Sequence, residues 1–312
     1  MSRLLTGPTS TRKNIAVRWK HLLNATAAMA KSHRTNMRPV MLKRTLTSLG
    51  LAVVGLPAII YGGVFYYLLI GVVLTGSAWE YIRLYRAVRY EPNEIVTIGG
   101  VLGIATVRFF FAEAAIPLFV LLILLAMGVH LVAYERGRDQ AALDFAVTVA
   151  GIVYLGWLGS YLLDLRFLPQ GLWWLMLVLP IVWGGDTGAY SIGVVYGKHK
   201  MTPRLSPNKS WEGYFAGVFT SVAVGAFFSY AFSSLGPQPL GGLITALQGG
   251  FLGLVIGALA PLGDLGESMF KRQGGLKDSS NVFPGHGGFF DRIDSWIWGA
   301  ALGYFVIQFI IL

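Results

Sequence analysis

The feature that most restricts what this chain can fold into is a succession of apolar segments, each of roughly 20 residues, running from Thr45 to the C-terminus. Nine can be placed, at residues 46–62, 64–84, 95–112, 114–134, 142–164, 171–196, 212–233, 243–265 and 293–312. A helix of that length matches the hydrocarbon thickness of a bilayer. Backbone N–H and C=O groups have no water to bond there, so each segment must satisfy them internally. The expected fold is therefore all-α: a polytopic membrane protein with about nine transmembrane helices. Composition agrees, with 54% hydrophobic and only 13% charged residues, where a soluble domain carries about 25% charge. The boundary between the first two segments is the softest, because Leu56-Pro57 to Gly62-Gly63 reads either as a kink within one span or as a tight hairpin between two.

Charge is distributed unevenly. The net charge is +10, and it originates in residues 1–45, where Arg3, Arg12, Lys13, Arg18, Lys20, Lys31, Arg34, Arg38, Lys43 and Arg44 stand with no Asp or Glu. Two regions are thus expected, a basic arm over 1–45 and a membrane domain over 46–312. Such an arm is attracted to an anionic cytoplasmic leaflet. Ile15, Val17, Trp19, Leu22 and Leu23 can share one side of an interfacial helix within it, and a disordered tail or an organellar transit peptide are the other readings. Nothing in the arm resembles a nucleic-acid module, so no nucleic-acid partner is expected. The chain has no Cys, which excludes disulfides, thiolate metal sites and cysteine nucleophiles.

With the arm inside and nine spans, the loops on the same side receive Arg83, Arg86 and Arg89; Arg136 and Arg138; Lys198, Lys200, Arg204 and Lys209; and Lys271, Arg272, Lys277 and Arg292. Only Arg108 and Arg166 fall outside. This positive-inside asymmetry predicts an integral protein whose two polar loops lie on the cytoplasmic face, where nucleotides are.

The longer polar interval, residues 264–294, holds Asp264, Glu267, Asp278, Asp291 and Asp294, with Lys271, Arg272, Lys277, Arg292 and His286 on a glycine-rich backbone. Carboxylates hold hard cations through oxygen, Lys and Arg neutralise phosphate, and glycine lets backbone N–H groups approach phosphate closely. A polyanion and its metal are the ligands such a stretch suits; a solvated charged loop is the alternative. Asp264 and Glu267 are spaced i, i+3, as are Asp291 and Asp294, so each pair can share a helix face. The second polar block, residues 183–213, places Asp186 inside an apolar span, where an acid is expensive and is expected to be functional. Lys209, Ser206 and Ser210 follow just before the next span, as basic and hydroxyl groups at a helix N-terminus that suit a phosphate.

The order of these residues resembles a family. Ser268-x-Phe270-Lys271-Arg272, Lys277-Asp278-x-Ser280 and Phe283-Pro284-x-His286-Gly287-Gly288-Phe289-x-Asp291-Arg292-Ile293-Asp294 are similar to the hallmark motif of the phosphatidate cytidylyltransferases, or CDP-diacylglycerol synthases. Asp186-Thr187-Gly188-Ala189-Tyr190 and Ser206-Pro207-Asn208-Lys209-Ser210-Trp211-Glu212-Gly213 resemble a second segment of that family, with Ser210 where Thr is commoner. The specific resemblance covers residues 183–298 and is of general character upstream. It implies attack of phosphatidate on the α-phosphorus of CTP, release of pyrophosphate, Mg²⁺ and a second cation such as K⁺, a homodimer, and a bacterial plasma membrane as the setting.

Within that reading Asp264 and Asp291 are the first candidates for metal ligands, with Asp294 and Glu267 next. Lys271, Arg272, Lys277 and Arg292 are assigned to phosphate oxygens, and Asp278 is grouped with them as a catalytic candidate. His286 orients phosphate or a ligand rather than acting as base, since a phosphate monoester is already largely dianionic near neutral pH. Asp186, Lys209, Ser206, Ser210, Ser268, Gly287 and Gly288 are expected to line the substrate site. The rival readings are a related lipid enzyme, such as a CDP-archaeol synthase or a polyprenol or phytol kinase, and, from another class, a cation transporter using Asp186, Asp264 and Asp291 as an ion path.

Overall fold

A computed structural model describes residue 50 and residues 53–234, 240, 242–276, 279–280, 282–283 and 287–312. The basic arm, its interfacial segment, and the candidates Lys277, Asp278 and His286 lie outside the described residues.

The described chain is helical apart from one small hairpin. Helix α1 covers residues 53–61 and α2 covers Gly63–Arg86. The chain breaks between them because Gly62 and Gly63 both adopt positive φ, 65° and 52°, which only glycine does without strain. The first two apolar segments are therefore two helices. Arg166, one of the two cations predicted to lie outside, donates to Ile59 O at 3.1 Å and Ile60 O at 3.3 Å, satisfying carbonyls at the end of α1.

Helix α3 (Glu94–Phe110) starts at Asn93, whose side chain accepts from Val96 N at 2.9 Å. Helix α4 spans Ala115–Glu135 after a short 3₁₀ turn. Helix α5 (Ala141–Gly151) runs into a π-helical stretch, Ile152–Leu158, and is followed by α6 (Tyr161–Phe167). Helix α7 spans Gly171–Tyr196, and strands β1 (Lys200–Thr202) and β2 (Ser206–Ser210) pair antiparallel, with Lys200 opposite Ser210. Helix α8 (Trp211–Ser234) begins directly at the end of β2. Helix α9 (Ala246–Leu259) opens on a capping box between Thr245 and Gln248, α10 (Pro261–Gln273) follows after Ala260, and α11 (Phe290–Val306) continues as a π-helical tail to Ile311.

Seven helical stretches among the described residues are long and apolar enough to cross a membrane. Helix α3, at 17 residues, falls just short, and the first predicted segment is described only in part. The eighth predicted segment differs in an informative way. Pro261 cannot donate to the preceding turn and is suited to the first helical position, so a new helix begins there. Asp264 therefore sits in the first turn of α10, just past the break at Ala260–Pro261 inside the helical stretch Ala246–Gln273, which is one of the seven.

Close packing of α7, α8 and α9 sets the shape around the polar segments. Gly213, Gly217, Ser221, Gly225 and Ser229 form a buried stripe along α8 at four-residue spacing. On one side a Cβ at Gly217 would meet Gly185 O and Ala189 of α7, and on the other one at Gly225 would meet Gly249 and Gly253 of α9. In lipid the tails solvate Leu as well as another helix does, so association relies on van der Waals contact and close backbones; small residues supply both. The main core lies where α2, α6, α7 and α11 meet, around Tyr66, Leu74, Leu162, Trp174, Val178 and Ile297.

Candidate active site

The two polar blocks, residues 183–213 and 264–294, meet at the junction of α8 and α10. Ser210 ends β2 and caps α8, accepting from Gly213 N at 3.2 Å through its hydroxyl. That cap fixes the neighbouring Lys209, whose ammonium reaches Asp264 Oδ2 at 2.6 Å. A cavity of about 670 Å³ opens beside this pair, lined by Asp186 and Tyr190 of α7, Lys200 and Asn208 of the hairpin, and Tyr214 of α8, and floored by Pro261 and Asp264. Its lower wall is the apolar, small-residue seam of α7, α8 and α9, including Gly217, Ser221 and Gly257. One space thus has a cationic, polar rim and an apolar wall contributed by membrane-spanning helices.

Behind Asp264 the acids gather. Asp264 and Glu267 of α10 and Asp294 of α11 each bring a carboxylate oxygen within 4.8 Å of the others. This proximity requires α10 and α11 to touch, and they do at Gly263, where a Cβ would clash with Asp294 O and the Trp298 ring. Glu267 is 1% exposed; its Oε2 accepts from Lys271 Nζ at 2.7 Å, while Oε1 is buried without a partner.

Lys271 also reaches Asp291 Oδ1 at 2.7 Å, so one ammonium bridges α10 and α11. The second oxygen of Asp291 accepts from Ser279 N at 3.0 Å and Gly288 N at 2.8 Å, and Ser279 Oγ, whose single proton it shares with Glu80, lies 2.6 Å from it. Beyond it stands Glu80 of α2, wholly buried. Its Oε1 accepts from Ser280 Oγ at 2.5 Å and Phe289 N at 3.0 Å, and its Oε2 from Ser279 Oγ at 2.7 Å and Phe290 N at 2.9 Å. A Cβ at Gly288 would lie inside the Glu80 carboxylate, which explains glycine at that position.

The sequence profile of the Cytidylyltransferase family matches residues 42–310. The chain belongs to that family. The phosphatidate cytidylyltransferase of Pseudomonas aeruginosa is 37% identical over 239 residues, 75% of this chain and 84% of that protein. The phosphatidate cytidylyltransferase of Bacillus subtilis is 32% identical over 281 residues, 86% and 97% of the two chains. That of Staphylococcus aureus is 30% identical over 260 residues, 81% and 94%.

Membership of the cytidylyltransferase family makes the placement of the predicted residues pointed. Of the four candidate metal ligands, Asp264, Glu267 and Asp294 converge, whereas Asp291 lies to one side with its oxygens given to Lys271, Ser279 and Gly288. The donor set is oxygen only, and one of its buried oxygens, Glu267 Oε1, has no partner; both observations fit a hard divalent cation. Asp186 and Lys209 line the cavity beside this group, and Ser210 shapes it from a capped, buried position. Ser206 is half-buried on β2 and Ser268 half-buried on α10, and Arg272 and Arg292 are exposed. The backbone N–H groups of Gly288, Phe289 and Phe290, which a glycine-rich loop would be expected to offer to phosphate, go instead to the carboxylates of Asp291 and Glu80.

Glu80 is the residue that sequence reasoning missed. It lies within the second apolar segment, and the rule that drew attention to Asp186, an acid inside a membrane span, applies to it equally.

Proposed function

We propose that this chain transfers a cytidylyl group from CTP to phosphatidate, forming CDP-diacylglycerol and pyrophosphate in a membrane. The observation that carries the reading is the Lys209–Asp264 contact, which joins the cavity to the acidic group in one site. Lipid and nucleotide differ in polarity, and the cavity has a wall for each: small apolar residues of α7–α9 for the diacyl end, and Lys200, Asn208 and Lys209 for phosphate.

In the reaction an oxygen of the phosphatidate phosphate forms a bond to the α-phosphorus of CTP. The bond from that phosphorus to the α,β-bridging oxygen breaks, and pyrophosphate leaves with the electron pair. Both reactants are polyanions, so Lys209 and Lys200 lower the repulsion that otherwise keeps them apart. Asp264, Glu267 and Asp294 would hold a divalent cation, Mg²⁺ in this reading, which supplies charge neutralisation at phosphoryl oxygens. Lys271 holds Glu267 and Asp291 in register, so the acids of α10 keep their position relative to α11. No side chain has to deprotonate the nucleophile, because a phosphate monoester is already largely ionised at neutral pH.

The charge asymmetry of the loops supports a site on the cytoplasmic face of nine spans, with a basic arm over 1–45, and the bacterial relatives support a bacterial plasma membrane. The resemblance supports a second cation such as K⁺ and a homodimer.

The test is an assay of detergent-purified protein with labelled CTP, phosphatidate and Mg²⁺, following lipid-soluble label, with Asp264→Asn and Lys209→Met alongside. Wild type is expected to make CDP-lipid. Asp264→Asn is expected to lose activity outright, and Lys209→Met to show a KM for CTP raised by roughly tenfold, as removal of one charge-assisted phosphate contact implies. A wild type that is silent with CTP across several lipid phosphates, yet active with another nucleotide or an alcohol acceptor, would overturn the substrate assignment.

A further inference from the structure

We propose that Glu80, in the second apolar helix, is a positioning residue for the reaction, holding the acidic group of α10 and α11 in its working geometry from outside the motif segments. The inference rests on the cytidylyltransferase reading for its consequence in turnover, and on geometry alone for its consequence in cation binding.

Glu80 is buried with 0% exposure near the end of α2, about 200 residues from the groups it touches. Each carboxylate oxygen accepts one backbone N–H and one serine hydroxyl: Phe289 and Ser280 on Oε1, Phe290 and Ser279 on Oε2. The N–H groups of Phe289 and Phe290 open α11 and have no partner within that helix, so Glu80 caps α11 from another helix. The hydroxyls belong to Ser279 and Ser280, in the loop that carries the motif between α10 and α11. Ser279 in turn donates its backbone N–H to Asp291 Oδ2 at 3.0 Å, and Asp291 holds Lys271, which holds Glu267. Two routes therefore lead from Glu80 to the acids: through the start of α11 to Asp294, one turn into that helix, and through Ser279, Asp291 and Lys271 to Glu267.

The chemistry demands a carboxylate. A glutamine has one acceptor oxygen and one donor amide, so either Phe289 N–H or Phe290 N–H would face an N–H₂ group. An aspartate keeps two acceptors on a shorter stem. The occupied N–H groups also mean that the N-terminus of α11 serves a protein carboxylate rather than a substrate phosphate, which leaves phosphate binding to Lys209 and the other cations around the cavity.

The experiment uses full-length detergent-purified protein as wild type, Glu80→Gln, Glu80→Asp and Ser280→Ala. Three quantities are measured: Mn²⁺ binding without substrates, from the electron paramagnetic resonance signal of free Mn²⁺; kcat and KM for CTP; and thermal unfolding. Losing an outer partner of a metal site typically costs 10–100-fold in metal affinity or activity, and Glu80→Gln is expected near the lower end, roughly tenfold, because the links are indirect. KM for CTP is expected to stay within about twofold of wild type, since Glu80 does not line the cavity. Glu80→Asp should recover part of both losses, and Ser280→Ala should shift both in the same direction by less. The proposal is overturned if Glu80→Gln binds Mn²⁺ like wild type and its activity falls only in proportion to the folded fraction. If Glu80→Gln does not fold, wild-type Mn²⁺ affinity in both Ser280→Ala and Glu80→Asp overturns it. A wild type that binds Mn²⁺ but transfers no cytidylyl group defeats the proposed function and leaves the Mn²⁺ comparison decisive for Glu80.

Discussion

Removing the Lys271 ammonium strikes two carboxylates at once. Its side chain is 13% exposed and lies 2.7 Å from Glu267, 1% exposed, and 2.7 Å from Asp291, 8% exposed. In Lys271→Met the apolar stem is nearly conserved in volume, so the cost is electrostatic: two buried carboxylates lose their shared cation. Stranding one partner of a buried pair costs about 3–5 kcal/mol, and because one ammonium serves both acids the two losses overlap rather than add. A loss of about 3–5 kcal/mol corresponds to a fall in Tm of roughly 5–8 °C for a chain of this size. Thermal unfolding in detergent micelles without divalent cations, followed through tryptophan fluorescence, measures it directly.

The decisive comparison is a double-mutant cycle with Asp291→Asn. Once Lys271 is gone, replacing Asp291 by Asn removes a carboxylate left without its cation, so Lys271→Met/Asp291→Asn should be less destabilised than the sum of the single variants by about 0.5–3 kcal/mol. Lys271→Met with wild-type stability, or strict additivity in the cycle, would refute the reasoning that one ammonium holds both carboxyl groups.

Two further outcomes follow from packing and topology. Gly217→Leu puts a side chain where a Cβ alone would already be 2.9 Å from Gly185 O and 3.0 Å from Ala189 Cβ. It should force α7 from α8, costing about 1–3 kcal/mol or more in stability and lowering turnover, while Ala223→Leu on the exposed face of the same helix changes neither; equal tolerance of both would contradict the seam. Because the chain has no Cys, single cysteines report sidedness without background: in intact cells an impermeant maleimide should label Glu113→Cys and reach Ser206→Cys only after permeabilisation, and the reverse pattern would invert the topology.

Much of the site was legible because two kinds of signal are local. Apolar runs of membrane length announce helices, and an acid or a glycine-rich charged stretch between them is costly enough to mark a function. Asp264, Glu267, Asp294, Asp186 and Lys209 all carry that mark. Glu80 carries it too, yet nothing in its neighbours relates it to a motif 200 residues on. Asp291 shows the opposite case, where an i, i+3 relation to Asp294 was visible but the direction of its carboxylate was not.

By itself the sequence determined the all-helical membrane class, the basic arm, the two polar blocks and their motif, since period, length and charge are properties of short stretches. Tertiary structure alone decided that Lys209 meets Asp264, that three of the four candidate ligands converge while Asp291 binds Lys271, and that Glu80 takes the N-terminus of α11. The reason is geometric: a hydrogen bond or ion pair depends on positions to within an ångström, and those positions are set by how closely small residues let α7, α8, α9, α10 and α11 approach, which sequence spacing does not record.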